Sequence, residues 1–142
     1  MLERKFTSFL EHFLTEEPNK ILLVNGARQI GKSYIIRYVG QKLFTHFVEI
    51  NLKEDVDGDK VFADVRSTND LYMRLSNFYS SPLGDKKDTL VFLDEIQSYP
   101  HLMTMLKFLN QESRYRFIAS GSQLGVALSQ SPSEPLGSVT ME

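Results

Sequence analysis

Apolar residues in this chain change their spacing repeatedly, and each change marks a boundary between elements. Residues 2–14 carry Phe6, Phe9, Leu10, Phe13 and Leu14 at i, i+3, i+4, i+7 and i+8, the stripe of an amphipathic helix. Pro18 closes it. Ile21-Leu22-Leu23-Val24 is a continuous apolar run, the pattern of a strand covered on both faces. Helical spacing returns with Ile35, Ile36, Val39 and Leu43. Residues 47–52 read as a second strand and residues 53–60 as a solvated acidic loop. Capping side chains at Ser67-Thr68-Asn69-Asp70 precede a helix carrying Leu71, Tyr72, Leu75, Phe78 and Tyr79.

A polar connection over residues 80–88 leads to the apolar strand Leu90-Val91-Phe92-Leu93. Pro100 opens a helix with Leu102, Met105, Leu106 and Leu109 on its buried stripe. Phe117-Ile118-Ala119-Ser120 is the next strand. A short apolar helix over 124–128, a loop over 129–135 and a last strand over 137–142 complete the pattern. Strands alternating with helices predict an α/β domain built on a parallel sheet with helices on both faces.

With 142 residues the chain suits one domain with a real core. A net charge of −2 makes no electrostatic case for nucleic acid as the main ligand. There are no cysteines, which excludes disulfides and thiolate metal sites. Residues 1–5 lack the apolar core of a signal peptide, and no run approaches the length of a membrane span, so a cytoplasmic protein with no membrane partner is expected. His12, His46 and His101 show no metal-ligand spacing, and His101 at a helix start is expected on the surface. Asp55, Asp57 and Asp59 look like part of a Ca²⁺ loop. However, Gly58 comes too early, and Asp64 stands where the required glutamate would be.

The chemistry lies after the first strand. Gly26, Ala27, Arg28, Gln29, Ile30, Gly31, Lys32 and Ser33 fit G-x-x-x-x-G-K-[ST], the phosphate-binding loop. Its glycines let the backbone turn and approach a ligand closely. Successive N–H groups then form an anion nest at the start of a helix, whose dipole favours negative charge. Lys32 is expected on the β- and γ-phosphates, Ser33 on Mg²⁺, and Tyr34 beside them. Downstream, the strand 90–93 ends in Asp94 and Glu95. Ligands bind beyond the carboxyl ends of parallel strands, so Asp94 is placed for the Mg²⁺ shell and Glu95 for activating water. Ser120 and Ser122 follow the next strand, where a hydroxyl can contact the γ-phosphate. Of the two, Ser122 is preferred.

Four segments together resemble a prokaryotic family of AAA+-type ATPases. They are residues 24–33 around the phosphate loop, Phe92-Leu93-Asp94-Glu95-Ile96-Gln97, Ile118-Ala119-Ser120-Gly121-Ser122 and Pro135-Leu136-Gly137-Ser138-Val139. Members read GARQ-x-GK[ST], FLDEIQ and a GS after the fourth strand. The resemblance implies the three-layer P-loop NTPase fold, strand order 5-1-4-3-2, ATP rather than GTP as nucleotide, and a sensor role for a serine at 120 or 122. It also implies a further carboxyl-terminal domain of uncharacterised, nuclease- or DNA-associated role. Residues 1–142 are accordingly expected to be the amino-terminal ATPase domain of a longer protein, with self-association or contacts to that domain.

One departure matters. No lysine or arginine follows Arg116, so the late arginine finger of many AAA+ proteins has no candidate there. Arg114 and Arg116 are expected to be solvated residues leading into a strand. Hydrolysis by the isolated chain is therefore expected to be slow. Two functional classes stay open: a hydrolysing motor or switch, and a nucleotide-stabilised module that binds protein or DNA with little turnover. A small-molecule kinase is a third, for which the chain shows no Arg-rich lid.

Overall fold

In a computed structural model the chain is described over residues 2–17, 20–26, 30–79, 84–85, 87–106, 108–109, 114–122 and 136–141. β1 (Ile21–Gly26) lies inside a sheet because its apolar residues fill both of its faces. Ile21 and Leu23 point to one side, Leu22 and Val24 to the other. The same division runs through β3 (Thr89–Asp94), with Val91 and Leu93 opposite Leu90 and Phe92. In β4 (Arg116–Gly121), Phe117 and Ala119 oppose Ile118. Period-two alternation between two apolar layers is what a doubly covered parallel sheet requires.

One layer is closed by α1 (Leu2–Glu16) and α2 (Ile30–Leu43), through Phe6, Leu10, Phe13, Ile35, Ile36 and Val39. The other is closed by α3 (Leu52–Asp57), α4 (Thr68–Phe78) and α5 (Pro100–Leu106). β2 (His46–Asn51) and β5 (Leu136–Met141) are the edges, giving the order β2-β3-β4-β1-β5 with every pairing parallel. Read from the other edge this is the expected 5-1-4-3-2. Among the described residues no helix is long and apolar enough to cross a membrane.

Several expectations change. Residues 53–60 are not simply a solvated loop. Leu52, expected to end the strand, instead begins α3, and Asn51 Oδ1 caps that helix by accepting from Glu54 N at 3.1 Å. Asp55 is buried and accepts from Val61 N and Phe62 N, both at 3.0 Å, and from the Tyr99 hydroxyl at 2.9 Å. A carboxylate holding three donors is a staple for the chain that follows it, which local sequence rules do not anticipate.

His101 is also tied down, its Nε2 lying 3.0 Å from Phe62 O. α5 stops at Leu106 and buries Met103, whereas Met105 is half-buried. Phe78, at the end of α4, is exposed.

Arg116 is the largest correction. It is 4% exposed, and it donates from Nη1 to Leu14 O at 2.9 Å and from Nη2 to Glu17 O at 3.1 Å. Burial pushes its pKa down to about 10. The side chain closes carbonyls at and just beyond the end of α1 rather than meeting solvent. Arg114 is exposed, and its guanidinium lies over the Tyr72 ring at 4.9 Å. The helix expected over 124–128 and the loop over 129–135 lie outside the described residues.

Candidate functional site at the carboxyl edge of the sheet

Parallel pairing brings the carboxyl ends of four strands to one edge. Val24 and Asn25 of β1 are in register with Ser120 and Gly121 of β4, and Asn51 of β2 is in register with Asp94 of β3. α2 begins at Ile30, shortly after β1 ends at Gly26, so its first turn opens onto the same edge. Ala27, Arg28 and Gln29 lie outside the described residues, while Gly26, Ile30 and Gly31 are placed by backbone alone.

Asp94 is the centre of this edge. Ser33 Oγ donates to its Oδ2 at 3.2 Å, across 61 residues of sequence. Ser120 Oγ donates to its Oδ1 at 2.6 Å, and the Glu95 backbone N–H reaches the same oxygen at 2.9 Å. Both carboxylate oxygens are thereby oriented, one toward α2 and one toward β4. Lys32 is 5% exposed, although an ammonium group is rarely so covered. Burial lowers its pKa below the ordinary lysine value, while the nearby charges of Asp94 and Glu95 pull the other way. Tyr34, one residue past Ser33, stands on the outer side of α2, 63% exposed.

Glu95 follows in the left-handed region, with φ 60° and ψ 49°. This turns the chain out of β3 into a 3₁₀ turn at Ile96–Ser98. A non-glycine residue held there is uncommon and marks a place where the surroundings impose the conformation. Gln97 Nε2 donates to Glu95 Oε2 at 3.1 Å, and Gln97 Oε1 accepts from the Ser122 backbone N–H at 3.3 Å. Ser122 thus joins the site through its main chain, and Ser120 through its hydroxyl.

A cavity of about 370 Å³ opens beside these groups, lined by Lys32, Ser33, Asp94 and Glu95 on one side. Asn51, Lys53, Glu54 and Asp57 line the other side. These last four, and Gln97, are residues to which the sequence reading gave no part in the site. The available signal was the end of β2: a parallel neighbour of β3 must finish beside Asp94, and the next residues must then form the wall.

The donor set suits a hard divalent cation. A serine hydroxyl and a carboxylate oxygen converge, as in sites where Mg²⁺ takes one or two protein oxygens and keeps waters and phosphate oxygens for the rest.

No curated protein matches the chain. Among solved structures it is similar to the structure of C. elegans PCH-2, with TM-score 0.56 and 11% identity over 98% of this chain. The chain spans 43% of the length of that one, and identity so low speaks for the fold alone. The sequence itself goes further: residues 18–141 match the AAA domain family, and the chain belongs to it.

Proposed function

We propose that this AAA domain binds ATP with Mg²⁺ and hydrolyses it, slowly when the chain acts alone. The observation that carries the reading is the 3.2 Å contact between Ser33 and Asp94, with buried Lys32 lining the same cavity. Residues far apart in sequence contribute a hydroxyl, a carboxylate and an ammonium to one edge of the sheet. Among the described residues, the carboxylates that act on Lys32 are Asp94 and Glu95, and burial still holds its pKa below the ordinary lysine value. A polyanion in the cavity supplies further opposite charge.

In this reading Lys32 pairs with the β- and γ-phosphates, and the backbone N–H groups of residues 26–34 cradle them. Ser33 and Asp94 would hold Mg²⁺, which neutralises charge on the β- and γ-oxygens when bound. Glu95 orients the attacking water and takes its proton. Ser120 keeps Asp94 aligned, and Ser122 stands at the γ-phosphate end of β4. The preference for ATP over GTP rests on the sequence resemblance.

Slow turnover follows from the cations. Arg116 is held by the carbonyls of Leu14 and Glu17, so its guanidinium does not serve as an arginine finger. An arginine finger is typically worth about 10³–10⁵ in rate. Phosphate release by the wild type and Glu95→Gln, with ATP affinity for Lys32→Ala, tests the reading. Release that falls in Glu95→Gln and affinity that falls in Lys32→Ala are expected. Equal, slow release from wild type and Glu95→Gln, with affinity still dependent on Lys32, would instead make this a nucleotide-stabilised binding module.

A further inference from the structure

The chemistry above gives no role to Gln97, yet its side chain joins two parts of the site. The left-handed turn at Glu95 brings Gln97, two residues later, back against the Glu95 carboxylate. Its Nε2 holds Glu95 Oε2 at 3.1 Å and its Oε1 holds the Ser122 N–H at 3.3 Å. The seat is close. A Cβ at position 121 would collide with Gln97 Oε1, so glycine at that position lets the end of β4 approach the amide. The amide offers a donor to a carboxylate and an acceptor to a backbone N–H from one side-chain end. Glutamate lacks the donor, lysine the acceptor, and methionine both.

We propose that Gln97 is a positioning residue for Glu95. It sets the direction of the carboxylate and ties it to the main chain of Ser122, so that the base and the end of β4 move as one unit. This rests on the hydrolytic reading of Glu95. Misplacing a reacting group by about 1 Å costs on the order of 10²-fold in rate, which sets the size of effect to look for.

The test uses the 142-residue chain with ATP and Mg²⁺. Single-turnover phosphate release, affinity for a fluorescent ATP analogue and thermal melting are measured for Gln97→Met and Gln97→Glu. The first removes both hydrogen bonds at similar length. The second keeps the acceptor for Ser122 but sets a negative charge against Glu95. Both are expected to slow release by about 10- to 100-fold with affinity within about twofold of wild type. In a Glu95→Gln background, Gln97→Met is expected to have no further effect, because residues acting as a unit are not additive.

Release within about twofold of wild type, a full additional loss in the Glu95→Gln background, or affinity falling in parallel with rate overturns the proposal. So does loss of folding in both variants, which makes the amide structural. Failure of the hydrolytic reading is distinct: there the wild type and Glu95→Gln release phosphate equally slowly.

Discussion

Ser120 donates its hydroxyl to Asp94 Oδ1 at 2.6 Å, across the boundary between β4 and β3. The bond is short and charge-assisted, and Ser120 is fully buried. It turns the other carboxylate oxygen toward Ser33. Ser120→Ala is expected to cost about 1.5–3 kcal/mol of stability, the usual worth of a hydrogen bond to a charged group. Affinity for ATP should fall about tenfold with Mg²⁺ present and change little in EDTA, because what is lost is the alignment of Asp94. Calorimetric titration in the two conditions checks this, and equal losses in both would sink it.

Lys32 is charged at a cost in the nucleotide-free protein, since burial lowers its pKa. The unfolded chain therefore holds the lysine proton over a window in which the folded chain has shed it. That window runs from the lowered value up to 10.5. Where the unfolded state binds more protons, stability rises with pH. Lys32→Met is expected to raise the melting temperature of the nucleotide-free chain near neutral pH and remove the gain in stability as pH climbs toward 10.5. The same substitution should abolish ATP affinity. Melting curves from pH 7 upward, with and without ATP, separate the two effects.

The Asp55–Tyr99 pair predicts the opposite dependence on pH. Burial, reinforced by the hydrogen bond to Asp55, pushes the Tyr99 phenol up to about 12. Between its ordinary value of 10.0 and about 12, the folded chain keeps a proton that the unfolded chain loses. The contribution of the phenol is thus complete below pH 10 and is lost as pH rises through 12. Tyr99→Phe should cost about 1.5–3 kcal/mol at neutral pH and flatten the alkaline fall. Asp55→Ala leaves two backbone N–H groups and that phenol without their acceptor, and should cost about 3 kcal/mol or more. Denaturant unfolding at pH 7 and pH 11 measures both.

Glu95 sits in a left-handed conformation that costs a side-chain-bearing residue about 1–2 kcal/mol. Asparagine adopts it more readily. Glu95→Asn relieves this strain but gives up the hydrogen bond from Gln97, so stability is expected to stay within about 1 kcal/mol of wild type, while phosphate release is lost. A melting temperature below wild type would show that the contacts of the glutamate outweigh its strain.

Local pattern carried much of this molecule. The unbroken apolar runs at 21–24 and 90–93 have no polar face, which suits the interior strands they form, and glycine spacing with Lys32 and Ser33 is what suggests a phosphate loop. Asp94 and Glu95 could be placed because the end of an interior strand is where a parallel sheet exposes side chains to ligand.

Long-range pairing decided the rest. Arg116, before an apolar strand, reads as exposed by every local rule. It is buried because the carbonyls of Leu14 and Glu17, about a hundred residues earlier, need donors. Asp55 reads as one more acid in a polar stretch, until Tyr99, 44 residues later, meets it. Gln97 enters the sequence only as the end of a motif, and only the arrival of β4 gives its amide a second partner.

Periodicity along a chain reports which face of an element is covered, since that depends on neighbours three or four positions away. It carries no record of which distant backbone group arrives opposite a given side chain. That is settled by strand register and helix docking, and so the sequence determined the sheet and its loop while the tertiary structure decided how Asp94, Glu95 and Gln97 are held.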